Sequence, residues 1–130
     1  MREQDRLKSL IVYSDVMVNF YSTQAIEAAV FDRPIVNVCY GTCRSVDLPA
    51  RVIDGWDHYA RVLATGGIAR AYTESALIDA INRYLDDPSL DRAARRRIVD
   101  QEIPVNRGCA GRAIGEHILA LLDRQPERSP

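Results

Sequence analysis

Residues 16–40, VMVNFYSTQAIEAAVFDRPIVNVCY, hold two short apolar runs on either side of a helix-length segment that ends at a proline. VMVNF (16–20) and IVNVCY (35–40) have the length and the β-branched content of strands. Neither alternates cleanly between polar and apolar residues, so each reads as a strand buried on both faces. Between them, residues 23–31 carry a helical pattern, which Asp32-Arg33-Pro34 stops. Strand, helix and strand in this succession predict a parallel pair joined by a right-handed crossover. The chain therefore belongs to the α/β class.

The rest of the sequence continues the alternation. Residues 4–13 predict a short helix with Leu7, Leu10, Ile11 and Val12 on its apolar side. Residues 41–57 read as a long loop, and residues 56–63 as a short helix closed by Gly66-Gly67, where positive φ is useful. IARAY (68–72) predicts a third, shorter strand. Thr73 is placed to cap a helix with the stripe Leu77, Ala80, Ile81, Tyr84 and Leu85. Pro88 ends that helix, and Ser89 reads as the cap of the next, 90–101. Arg95, Arg96 and Arg97 form a basic run on it, read as a solvated face rather than a phosphate patch. A last helix, 110–122, is expected to bury Ile114, Ile118, Leu121 and Leu122. A doubly wound nucleotide-binding domain commonly has about six strands. The expectation is thus a partial Rossmann-like domain of about three parallel strands and flanking helices. It would span 1–123 as one half-domain, with 124–130 as a frayed tail.

Composition narrows the function classes. A net charge of -1 gives no global field toward nucleic acid or anionic lipid. The 3 cysteines, Cys39, Cys43 and Cys109, form no paired framework. CYGTC lacks a second Cys/His pair that would complete a zinc site, so no metal is expected. The reading is a reducing, cytoplasmic compartment without a membrane span, with any membrane role peripheral at the inner face or through a partner.

In open α/β sheets, ligands sit outside the carboxyl ends of the strands. Phe20-Tyr21-Ser22-Thr23 lies at such an end and opens a helix. Ser22 and Thr23 either extend a cradle for a phosphate or diphosphate, or cap the helix. Glu27 completes no capping box, because position N3 is Ala25 counted from Ser22 and Ile26 counted from Thr23. Among Ala25, Ile26, Ala28, Ala29 and Val30, its carboxylate needs water, an Arg33 partner or a ligand's hydroxyls. Weaker candidates are His58 as a hydrogen-bond donor or general acid–base, Arg44 as a phosphate donor, Gly67 beside a ligand, and Arg112 within RGCAGRAIG. His117 reads as a surface or structural residue.

The segment SDVMVNFYSTQAIEAAVFDRPIVNV resembles the sugar-nucleotide half of GT-B glycosyltransferases and of their relatives, the CDP-glycerol glycerophosphotransferases and the non-hydrolysing UDP-N-acetylglucosamine 2-epimerases. Those families show a strand, a small or hydroxyl turn, and a helix bearing a Glu seven residues before a Pro; Glu27 and Pro34 match this spacing. HYARVLATGGIARAYTESALIDAINRYLDDP is similar to the later part of such a domain, so the likeness runs from about Leu7 to Leu122. Tyr21-Ser22-Thr23 stands where many members have glycines. The resemblance implies that Tyr21, Ser22 and Thr23 hold the donor's diphosphate and Glu27 its ribose. It implies the donor-binding part of a transferase of surface glycan or polysaccharide synthesis, moving a sugar or a glycerol phosphate. The nucleotide-diphosphate donor is then substrate, and no further cofactor is implied. The acceptor site would lie on a missing N-terminal domain or a separate partner chain, so the chain alone would be inactive. A strand edge exposed in this way predicts a homodimer, a partner or aggregation, with VMVNF as the edge. The alternative is a non-catalytic nucleotide-binding or protein-interaction module on the same half-fold.

Overall fold

The computed structural model describes residues 3–43, 48–49 and 55–123. In chain order the elements are α1 (Glu3–Tyr13), β1 (Met17–Asn19), α2 (Gln24–Val30), β2 (Ile35–Val38), β3 (Thr42–Cys43), β4 (Leu48–Pro49), α3 (Asp57–Leu63), β5 (Ala69–Ala71), α4 (Glu74–Asp86), α5 (Arg92–Glu102) and α6 (Ala110–Asp123). The fold is α/β, with β1, β2 and β5 in one parallel sheet in the order β1-β2-β5. Met17 lies opposite Ile35 and Asn19 opposite Asn37, while Val36 and Val38 lie opposite Ala69 and Ala71. This is the partial Rossmann-like arrangement that the strand–helix alternation predicts. The expected loop after β2 differs in one respect: β3 and β4 pair there as a two-residue antiparallel ladder.

The central strand β2 explains its own apolar sequence. Successive side chains of a strand point to opposite faces. On one face Ile35 joins Ile11 of α1, Ala25, Ala28 and Ala29 of α2, Val62 of α3, and Ile98 and Val99 of α5. On the other, Val36 joins Ala71 and Tyr84, with Leu77, Ala80 and Ile81 of α4 packed beside them. The alanines of α2 make a smooth face, and α5 packs closely against it. β1 occupies an edge of the sheet, as expected, and Val18 on it is 43% exposed.

Thr73 caps α4 as its sequence requires, its hydroxyl accepting from the Ala76 N–H at 3.2 Å. Leu85, at the end of the predicted stripe, is exposed, while Tyr84 beside it stays buried against Val36 and Ala71. Ser89 does not cap α5. Its hydroxyl and its N–H instead donate to Asp87 Oδ1, and α5 begins at Arg92 after Asp91, which has a φ of 58°.

The arginine run also departs from expectation, because Arg95 is fully buried. Its Nε donates to Asp32 Oδ1 at 3.0 Å, and its Nη1 and Nη2 donate to the carbonyls of Leu90 and Pro88. Arg92 holds the other Asp32 oxygen at 2.7 Å. Asp32 has a φ of 53°, a conformation that Asp tolerates better than most residues. One carboxylate thus ties the end of α2 to the start of α5. Arg97 is exposed but reaches the Thr65 carbonyl at 2.7 Å.

The two glycines after α3 divide their work. Gly66 supplies the positive φ, 75°, that ends the helix. Gly67 supplies space: a Cβ there would lie 2.8 Å from backbone atoms of Ala94 and Arg95. On α6 the expected burial fails. Ile114, Ile118, Leu121 and Leu122 are each more than half exposed. The periodicity identifies the apolar face of a helix, not the presence of something to cover it. No helix among the described residues is long and apolar enough to cross a membrane.

Candidate functional site

The polar residues that matter lie at the carboxyl end of the sheet. β1 ends on Asn19, and β2 carries Asn37 near its end in matching register. Asn37 is fully buried, and its Oδ1 accepts the Tyr21 N–H at 2.9 Å. Asn19 is also buried, and neither its Oδ1 nor its Nδ2 has a hydrogen-bond partner among the described residues. An amide in that state carries a desolvation cost of about 1–3 kcal/mol. Most native structures avoid it away from functional positions.

Asn37 acts on the turn above it. Tyr21 has a φ of 51°, in the left-handed region, which a bulky residue enters at a cost of roughly 1–3 kcal/mol. The Asn37 hydrogen bond holds its backbone there, and ring contacts hold its side chain. Phe20 meets it edge-on at 5.3 Å and Tyr59 at 5.1 Å. The Tyr59 hydroxyl donates to the Ser22 carbonyl at 3.1 Å. A glycine would adopt such a φ freely. Here an asparagine and two aromatic rings hold the conformation without a glycine.

Ser22 and Thr23 then part company. Ser22 Oγ accepts the Gln24 N–H at 3.2 Å, so this hydroxyl has the capping role that the sequence left open. The Ala25 and Ile26 N–H groups bond to the carbonyls of Ser22 and Thr23. The turn therefore consumes most of the first amide donors of α2, and what remains outward is the hydroxyl protons. Thr23 is exposed, and its side chain makes no capping bond. Glu27, one turn on, is exposed and has no hydrogen bond or ion pair among the described residues. In particular it does not pair with Arg33. It borders a shallow groove of about 360 Å³ with Leu7, Lys8, Val30 and Phe31.

The remaining candidates separate. His58 is exposed on the first turn of α3 beside Trp56 and Tyr59, and so belongs to the aromatic group over the turn. Arg44 lies outside the described residues. Gly67 is packed on α5, which is sufficient reason for its presence. Arg112 is exposed on α6, with Glu116 of the same helix 3.8 Å away. His117 is exposed there too.

No model of a known protein family, no curated protein and no solved structure matches this chain.

A larger hollow, about 710 Å³, lies between α2 and α5 and is lined by Ala29, Asp32, Arg92 and Arg96 among others. It lies by the turn that precedes β2, at the amino ends of the parallel strands. The carboxyl end is the stronger site, because it holds a strained residue and a buried amide with no hydrogen-bond partner among the described residues, and the helix that starts there carries Glu27. Sequence reasoning missed Asn19, Asn37, Trp56 and Tyr59. The two asparagines did leave a signal, since each interrupts an apolar strand at the same register.

Proposed function

We propose that this chain is the donor-binding part of a GT-B-type transferase, acting on a nucleotide-diphosphate donor of the nucleotide-sugar or CDP-glycerol kind in surface glycan synthesis. The observation that carries it is Glu27: an exposed carboxylate with no partner among the described residues, one turn from the hydroxyl turn at the sheet's carboxyl end. A carboxylate of this kind accepts two hydrogen bonds from the vicinal hydroxyls of a ribose. The Ser22 and Thr23 hydroxyls, one turn earlier, donate to the diphosphate. Fixed donors of this kind also stabilise the charge that grows on a leaving diphosphate, without metal as a requirement. A second domain or a partner chain supplies the acceptor and the catalytic base. Compartment and membrane association follow from that reading: a cytoplasmic enzyme part, peripheral at the inner membrane face.

The test replaces Ser22 and Thr23 together by alanine. Affinity for a nucleoside diphosphate should fall while affinity for the free nucleoside holds. Loss of the Ser22 cap costs about 1 kcal/mol of stability in either case. Equal changes for nucleoside and diphosphate would leave Ser22 a helix cap alone and Thr23 without a part in binding.

A further inference from the structure

The chain has a single tryptophan, and it is not in the core. Trp56 is 42% exposed at the start of α3. Its ring lies 6.0 Å from that of His58, tilted by 36°. His58 meets Tyr59 edge-on at 6.2 Å, and Tyr59 meets Tyr21. The Tyr59 hydroxyl closes the series on the Ser22 carbonyl. A continuous run of rings therefore leads from the hydroxyl turn outward to an open indole. The His58 imidazole is exposed as well and has no hydrogen-bond partner among the described residues.

The shape and chemistry of this shelf select a ligand. A pyranose offers a flat face of C–H groups and a rim of hydroxyls. It matches an aromatic surface open on one side with hydrogen-bonding groups at its border. Trp56 provides the surface and His58 the border. The indole is 42% exposed and is linked to the turn through the rings of His58, Tyr59 and Tyr21.

We propose that Trp56 and His58 form the sugar subsite: the indole receives the C–H face of the donor's pyranose and the imidazole binds its hydroxyls. This rests on the donor-binding reading above and goes further, favouring a nucleotide sugar over CDP-glycerol. The lone tryptophan is its own reporter. The full chain is titrated with UDP, GDP, UDP-glucose, UDP-N-acetylglucosamine, GDP-mannose and CDP-glycerol, with indole emission and calorimetric affinity read together. Donors carrying a pyranose should quench the emission or shift it to shorter wavelength; the bare diphosphates and CDP-glycerol should leave it unchanged. Trp56→Ala should weaken the sugar donor about five- to tenfold and the diphosphate less than about twofold, and Trp56→Phe should restore most of the loss. Melting curves of both variants establish that they fold. Sugar-donor binding with a silent indole, or an equal response to the bare diphosphate, would overturn the subsite and leave the donor reading standing. Failure to bind any of the nucleotides would overturn the donor reading, and the subsite with it.

Discussion

Asp32 is the residue whose loss should be felt furthest from its position. It neutralises Arg95, a guanidinium with no exposure, and it joins α2 to α5. Removing one member of a buried ion pair costs about 3–5 kcal/mol, because the other charge stays buried. Two features reduce that figure here. Asp32 is itself 43% exposed, so water can partly replace its carboxylate. Arg95 also retains the carbonyls of Pro88 and Leu90. Asp32→Asn keeps an acceptor oxygen and tolerates the φ of 53°, so it isolates the charge. We expect a loss of about 2 kcal/mol, within a total stability of roughly 6–20 kcal/mol for a domain of this length. Urea unfolding should show the midpoint about 1 M lower with an unchanged slope, for a slope near 2 kcal/mol/M. Arg92→Met, which breaks the exposed half of the same cluster, should cost less than about 1 kcal/mol. A loss below about 0.5 kcal/mol for Asp32→Asn would show that the carbonyls alone satisfy Arg95.

Three further outcomes follow from particular contacts. Gly67→Ala would drive a methyl group to 2.8 Å from the backbone of Ala94 and Arg95, and should lower stability by about 1–3 kcal/mol; an unchanged melting temperature would contradict the close approach of α5. The Asp87 carboxylate is held below its usual range by hydrogen bonds from Ser89, and that of Asp100 by Arg107. Because both folded values are depressed, their stabilisation is present above the ordinary carboxylate pKa of about 3.9 and is lost as pH falls through the folded values. Urea midpoints measured down to pH 2 should drop in that window, and drop less in Ser89→Ala/Arg107→Gln. The β1 edge should associate with itself, and Val18→Lys should suppress this in light scattering behind size exclusion; a parent chain that stays monomeric at high concentration contradicts it.

The sequence made the sheet legible and the surface of the helices less so. VMVNF and IVNVCY pair in parallel because their apolar runs flank a helix that a proline must stop. Burial on both faces of β2 is the physical content of its unbroken pattern. The pattern could not reveal that Arg95 is inside, because the partner that neutralises it is remote in sequence. Nor could the stripe on α6 say whether anything covers it. At the site, spacing marks Ser22 and Glu27 as candidates, and whether either meets a ligand was not legible from it. Nor was the device that holds the turn, since it joins Asn37, Tyr59 and Tyr21 from separate elements. The left-handed φ of Tyr21 has no signature in a sequence without glycine at that position.

Glu27 bears most directly on what the chain does. Its carboxylate is exposed and has no partner among the described residues, so Glu27→Ala should leave the urea midpoint unchanged. Hydrogen bonds to a charged group are worth about 1.5–3 kcal/mol. Calorimetric titration with nucleotide-diphosphate donors should therefore show affinity lower by about 10- to 150-fold in Glu27→Ala. A 2′,3′-dideoxyribose donor should bind parent and variant alike, because it lacks the hydroxyls that the carboxylate would accept. Equal affinity of parent and Glu27→Ala for the ribose donor, with both proteins folded, would contradict the account.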